Sequence, residues 1–220
     1  MHPRRRTVKR ALRPGLLAAL VVLVIGACGG VEKDAKPRPL PEEAKALQPG
    51  EYRSEEFEPS LSFRVGEDWK NAPPETSGYL GLQRGALGDV QFLRVEEVYE
   101  PTRVGVPNAL EAPKDPEDGI ALLRHHPYLR TTPPERVEVG GVKGERVDAV
   151  VGDLPKGYRG RCGTDCVDTG IVEGIPPMKI PLAIWEGYKV RTIGLEVEGE
   201  AVYISISGPD IAFDQLSISK

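Results

Sequence analysis

The run Cys162-Gly163-Thr164-Asp165-Cys166 brings two thiols, a hydroxyl and a carboxylate together within five residues. Two cysteines so placed can close a loop, exchange disulfides with another protein or ligate a metal. Redox pairs usually have two intervening residues at the start of a helix, where the helix end stabilises a thiolate. Here three residues intervene, flanked by glycine and charge. A zinc site would need two further ligands, and beyond the first 27 residues the histidines are His125 and His126. Neighbours on a helix point about 100° apart, so the two rings do not converge on one ion. One of them could still join the cysteines after folding. The expected place for the pair is a helix C-terminus, where exposed carbonyls favour positive charge. Asp165 and Asp168 could supply oxygens to calcium, yet their spacing is not that of an EF-hand loop. No metal and no cofactor is expected.

Catalytic signatures give the same answer. The sequence has no G-x-S-x-G elbow, H-E-x-x-H helix, P-loop or dinucleotide glycine fingerprint. Gly81, Gly85 and Gly88 have the wrong spacing for phosphate. Glu96-Glu97 and Glu117-Asp118 could in principle serve a hydrolase, but adjacent acids on a strand point to opposite faces. Trp69 and Trp185 could form a sugar-stacking surface, although core packing is the commoner use of aromatic residues in a small domain.

The elements that must position these residues are mostly strands. Leu61 to Val65 alternates apolar and polar residues, and Tyr79 to Leu82 and Val90 to Val98 read as further strands. Gly85 to Asp89 has the composition of a turn. One helix is expected, with Asp115 as cap, Pro116 in the first turn, Ile120, Leu122 and Leu123 on its apolar face and Pro127 as its stop. Val137 to Val151 reads as a hairpin around Gly140-Gly141. Leu182 to Trp185, Tyr188 to Val197 and Ala201 to Ser207 read as an antiparallel meander, with glycine in both two-residue gaps. A length of 220 residues favours a single domain.

The first 27 residues contain six basic and no acidic residues, so the remainder holds 23 basic against 33 acidic residues, a net charge of -10. Such a chain is a poor partner for nucleic acid or anionic lipid, which bind through clustered positive charge. The basic stretch Arg4 to Arg13, the apolar stretch Leu16 to Ile25 and the small residues after it have the layout of a secretory signal. Ten apolar residues are too few to span a bilayer, which needs roughly 20. Ile25-Gly26-Ala27-Cys28 resembles the lipobox of bacterial lipoproteins. That resemblance implies cleavage before Cys28, lipid on its thiol and an extracytoplasmic, membrane-anchored domain, with two or three acyl chains giving stable attachment. With Cys28 lipidated, Cys162 and Cys166 remain as an even pair in an oxidising compartment, which favours a disulfide between them. Residues 28–49, rich in proline and in both charge signs, then read as a tether, with a short helix over Glu42 to Leu47 as the alternative.

Three stretches resemble exported bacterial domains with a Mog1/PsbP-like fold: Phe57-x-Pro59-x-Leu61-x-Phe63-x-Val65-x3-Trp69; Val139-Gly140-Gly141-Val142-x-Gly144-x3-Asp148; and Leu195-x-Val197-x-Gly199 followed by Val202 to Ile206. The resemblance implies an antiparallel sheet flanked by helices and no common catalytic residue. The resulting expectation is a signal peptide over 1–27, a tether over 28–49 and a single α+β domain over 50–220 with one or two flanking helices. Its expected role is a binding or accessory module that meets an envelope protein or a small molecule. The alternative is an envelope enzyme, either a hydrolase or a thiol-disulfide protein using Cys162 and Cys166.

Overall fold

The computed structural model describes residues 36–100, 108–160, 162–173 and 179–209, all within one compact unit. The segment expected as a signal peptide, Cys28 and residues 210–220 lie outside the described residues. Along the chain come β1 (Arg38–Pro39), β2 (Gly50–Arg53), β3 (Ser62–Val65), β4 (Lys70–Asn71), β5 (Tyr79–Gln83), β6 (Asp89–Leu93), β7 (Val95–Tyr99) and β8 (Ala109–Glu111). Helix α1 (Pro116–Arg124) follows, then β9 (Leu129–Thr131), β10 (Glu135–Val139), β11 (Val142–Val151), β12 (Cys166–Glu173), β13 (Lys179–Trp185), β14 (Tyr188–Val197) and β15 (Glu200–Pro209).

The α+β expectation is corrected. Strands dominate, and α1 is the one α-helix among the described residues, so the fold is nearly all-β. The helices implied by the Mog1/PsbP-like resemblance reduce to this single element. Its cap is the expected one: the Asp115 carboxylate accepts the Glu117 N–H at 2.8 Å.

Three sheets form. β1, β2 and β3 make a small sheet, a large central sheet runs β10-β11-β14-β15-β6-β5-β4 with β9 also on β11, and an outer sheet runs β13-β12-β7-β8. One face of the central sheet carries Leu80, Leu82, Val90, Val202, Ile204 and Ile206, which pack with Tyr52, Phe57, Val65 and Trp69 from the β2–β3 side in the main core. Glu75 ties that side down: one carboxylate oxygen accepts the N–H groups of Glu55, Glu56 and Phe57.

The segment expected as a tether joins this core from Arg38 onward. Leu40 and Leu47 are buried, and their N–H groups donate to the Arg53 and Trp69 carbonyls. Buried Asn71 fixes the stretch between them, accepting the Lys45 N–H and donating to the Pro41 and Glu43 carbonyls. No helix forms over 42–47. Two leucines in a Pro-rich run are enough to anchor it because side-chain and backbone hydrogen bonds satisfy its polar groups.

Two strand expectations change in a way that creates the site. Val90 to Val98 is not one strand: the chain breaks at Arg94, so β6 belongs to the central sheet and β7 to the outer one. The expected meander also divides. β14 and β15 pair over ten residues, whereas β13 turns at Glu186-Gly187 and pairs with β12 in the outer sheet. The β13–β14 crossing lies at the Tyr188–Pro209 end of the β14–β15 register, and the β6–β7 crossing follows Leu93, which lies beside the Gly194–Tyr203 pair.

Candidate functional site

The second face of the central sheet looks across at the outer sheet, and a cavity of about 850 Å³ separates them. Register fixes what the central sheet offers it. Val190, Ser207 and Asp89 lie side by side in one row, Thr192, Ser205 and Gln91 in the next, and Gly194, Tyr203 and Leu93 in a third. The first two rows are largely polar and the third is aromatic and aliphatic. Opposite them, Ile180, Leu182 and Ile184 of β13 give an aliphatic wall, with Val95 and Val98 of β7 and Leu123 of α1. Apolar clusters bridge the sheets at either side, one holding Val167, Ile184 and Val190, the other Leu93, Val172 and Tyr203.

Helix α1 closes on the same face. Gly119 makes its approach possible, because a Cβ there would overlap the Tyr203 hydroxyl, and a Cβ on Gly194 would press on Pro116 and Ile120. In β12 a bulge between Asp168 and Gly170 lets consecutive residues Asp168 and Thr169 both border the cavity, where a regular strand would send them to opposite faces.

The electrostatics of the lining are one-sided. Asp89, Asp165, Asp168 and Glu186 border the cavity, and among its described lining residues there is no Lys, Arg or His. Burial raises the Asp89 carboxyl above its ordinary range, opposed by the Ser207 hydroxyl, which donates to it at 2.7 Å. Burial, helped by the Asp89 charge, pushes neighbouring Tyr79 up to about 12. Tyr203 is likewise pushed to about 12, by burial first and then by Asp115 and Asp118.

Cys162 and Cys166 form a disulfide with a Cα–Cα distance of 6.0 Å, and Cys162 lies on the cavity edge. Closing five residues contributes about 2 kcal/mol in the loop-entropy view. Its role is local: it holds the loop that carries Asp165 beside Trp185, the register partner of Cys166. Cys166 is fully buried, which hides that sulfur from an attacking thiolate.

The other expected residues scatter. The His125 Nδ1–H donates back to the Ala121 carbonyl at 2.7 Å, at the helix C-terminus as expected. His126 does not carry the expected positive charge. It is buried edge-on to Tyr128, its Nδ1 accepts the Tyr128 N–H, and burial lowers its pKa to about 4. Among the described residues no three His, Cys, Asp or Glu side chains are grouped to hold a metal. Glu96 and Glu97 share Lys179, at 3.7 and 2.6 Å. Trp69 is a core residue and Trp185 is 48% exposed at the β13–β14 turn, so the two make no joint surface.

Sequence reading missed Asp89, Gln91, Ser205 and Ser207. The signal for the serines was present: β15 alternates Val202, Ile204 and Ile206 with Tyr203, Ser205 and Ser207. Among the described residues no helix is long and apolar enough to cross a membrane. The chain matches no family model and no curated protein sequence.

Proposed function

We propose that this chain is a bacterial envelope lipoprotein, anchored through lipid on Cys28, whose extracytoplasmic domain binds a small amphipathic molecule between its central and outer sheets. The observation that carries this reading is the cavity: its volume falls in the range of ligand sites, roughly 300–1,000 Å³, and it sets an aliphatic wall against a wall of hydroxyl, amide and carboxyl groups. A hydrophobic core would not leave such a space, since protein interiors pack to crystal-like density. The geometry favours binding over catalysis. Glu96 and Glu97 are engaged by one lysine, and Cys166 is buried and closed in a disulfide.

The anchor is tested by Cys28→Ala, which should abolish acyl-label incorporation and release the protein from membranes. Persistent labelled, membrane-bound material would overturn it. For the cavity, the full chain is placed in phosphatidylcholine nanodiscs and titrated calorimetrically with hexyl glucoside, with empty nanodiscs as the blank. Binding should be saturable and lost in Ser205→Leu, which fills the space between the sheets. Titration indistinguishable from the blank, or unchanged by Ser205→Leu, would sink the binding reading.

A further inference from the structure

The cavity is polarised along its length as well as between its walls. At one end the β13–β14 turn presents Trp185 and Tyr188, 48% and 42% exposed, on either side of Glu186. The Glu186 N–H donates to the Asp165 carbonyl at 2.7 Å, which holds the disulfide loop and its carboxylate against this turn. Asp89 belongs to the row of Val190, two residues into β14 and thus nearest the same turn. Asp168 pairs with Ala183, also near that end of β13. At the other end, where β6 crosses into β7, the lining is Leu93, Val95, Ile180, Leu182 and Tyr203, without a carboxylate.

Acids and exposed aromatic rings at one end, with no cationic lining residue described, make an unfavourable site for a carboxylate or phosphate headgroup. The same groups suit a cation: carboxylates supply Coulomb attraction, and Trp and Tyr faces attract an ammonium through their quadrupole. The net charge of -10 beyond residue 27 adds a long-range field of the same sign.

Taking the cavity as a binding site, we infer that its ligand is a cationic amphiphile, an organic ammonium whose head lies among Trp185, Glu186, Asp165 and Asp89 and whose hydrocarbon part runs toward Leu93 and Ile180. This rests on the binding reading above and specifies its ligand class. The acids give selectivity and the aliphatic wall gives affinity, so both parts of the molecule are needed.

The test compares three probes of equal chain length on the full chain in phosphatidylcholine nanodiscs: hexyltrimethylammonium, hexyl glucoside and hexanesulfonate. The ammonium should bind at least about tenfold more tightly than the sulfonate, and its affinity should weaken as salt is raised. Asp89→Asn retains an oxygen that can accept from Ser207 while removing the charge, and should cut the preference for the ammonium over the sulfonate severalfold. Glu186→Gln, on an exposed turn, should do the same to a smaller degree and poses no folding risk. If hexyl glucoside binds but the ammonium shows no preference over the sulfonate, or if neither variant alters that preference, the cationic assignment falls and the cavity reading stands. If none of the three binds, both fall.

Discussion

The two faces of the central sheet are built from the same strands and do opposite things. Toward the β2–β3 side, Val202, Ile204 and Ile206 of β15 meet Trp69, Phe57 and Leu80 in continuous apolar packing. One residue out of phase, Ser205 and Ser207 face the outer sheet across open space, while Tyr203 packs into the cluster that bridges to it. A strand's period of two makes this division possible with no change of backbone. The comparison teaches that polar residues on an alternating strand can face a second sheet as readily as solvent. A fold can thereby hold stability on one face and leave the other incompletely filled.

The largest expected effect breaks the packed face. Ile204 is 4% exposed in the main core. Ile204→Ala should therefore cost about 2–5 kcal/mol, the range for deleting a buried aliphatic side chain, read as a shift of the urea midpoint at unchanged slope. A loss under about 1 kcal/mol would show that this face is no better packed than its opposite and would remove the contrast.

A smaller effect sharpens the contrast through pH. Buried His126 packs edge-on against Tyr128, which joins the cluster of Val167, Ile184 and Val190 that bridges the central and outer sheets, whereas the buried polar residues beside the packed face, Ser54 and Asn71, carry no titratable group. Burial keeps His126 neutral down to about pH 4, while in the unfolded chain it takes up a proton near its usual 6.5. The unfolded state therefore binds more protons between those values, so stability falls as pH drops from about 6.5 to about 4 and then levels off. The loss attributable to this group is at most about 3 kcal/mol, at 1.36 kcal/mol per pH unit. His126→Phe should flatten that segment of the stability profile. An unchanged profile would mean that the ring titrates as freely in the fold as out of it.

Much of the strand inventory was legible, because alternation and two-residue glycine turns are local. Gly140 and Gly141 have φ values of 59° and 84°, as a tight hairpin between β10 and β11 demands. Helix α1 was legible from Asp115 and Pro116 for the same reason. What could not be read was sheet membership. Nothing local to Arg94 or Glu186-Gly187 says that the next strand joins a different sheet, and both crossings are needed to make the cavity. The anchoring of Leu40 and Leu47 depended on Asn71, some thirty residues away. The candidate site was therefore legible only as fragments, the disulfide loop and the alternating serines, without the register that sets Asp89 beside Ser207.

The smallest expected effect concerns Ser205, the immediate neighbour of Ile204 and the sharpest probe of the two-face comparison. Its side chain borders space that already exists, so Ser205→Ala opens no new void and should change stability by no more than about 0.5 kcal/mol, as for a surface substitution. Hexyl glucoside affinity should nevertheless fall a few-fold, since a hydroxyl is removed from the polar wall. A stability loss of about 1–3 kcal/mol would carry the opposite meaning. That is the cost of stranding a buried hydrogen-bond partner, and it would assign the Ser205 hydroxyl to the internal bonding of the fold. The polar row would then be a structural device that holds the two sheets together, and the difference between the faces would be one of bond type rather than of purpose.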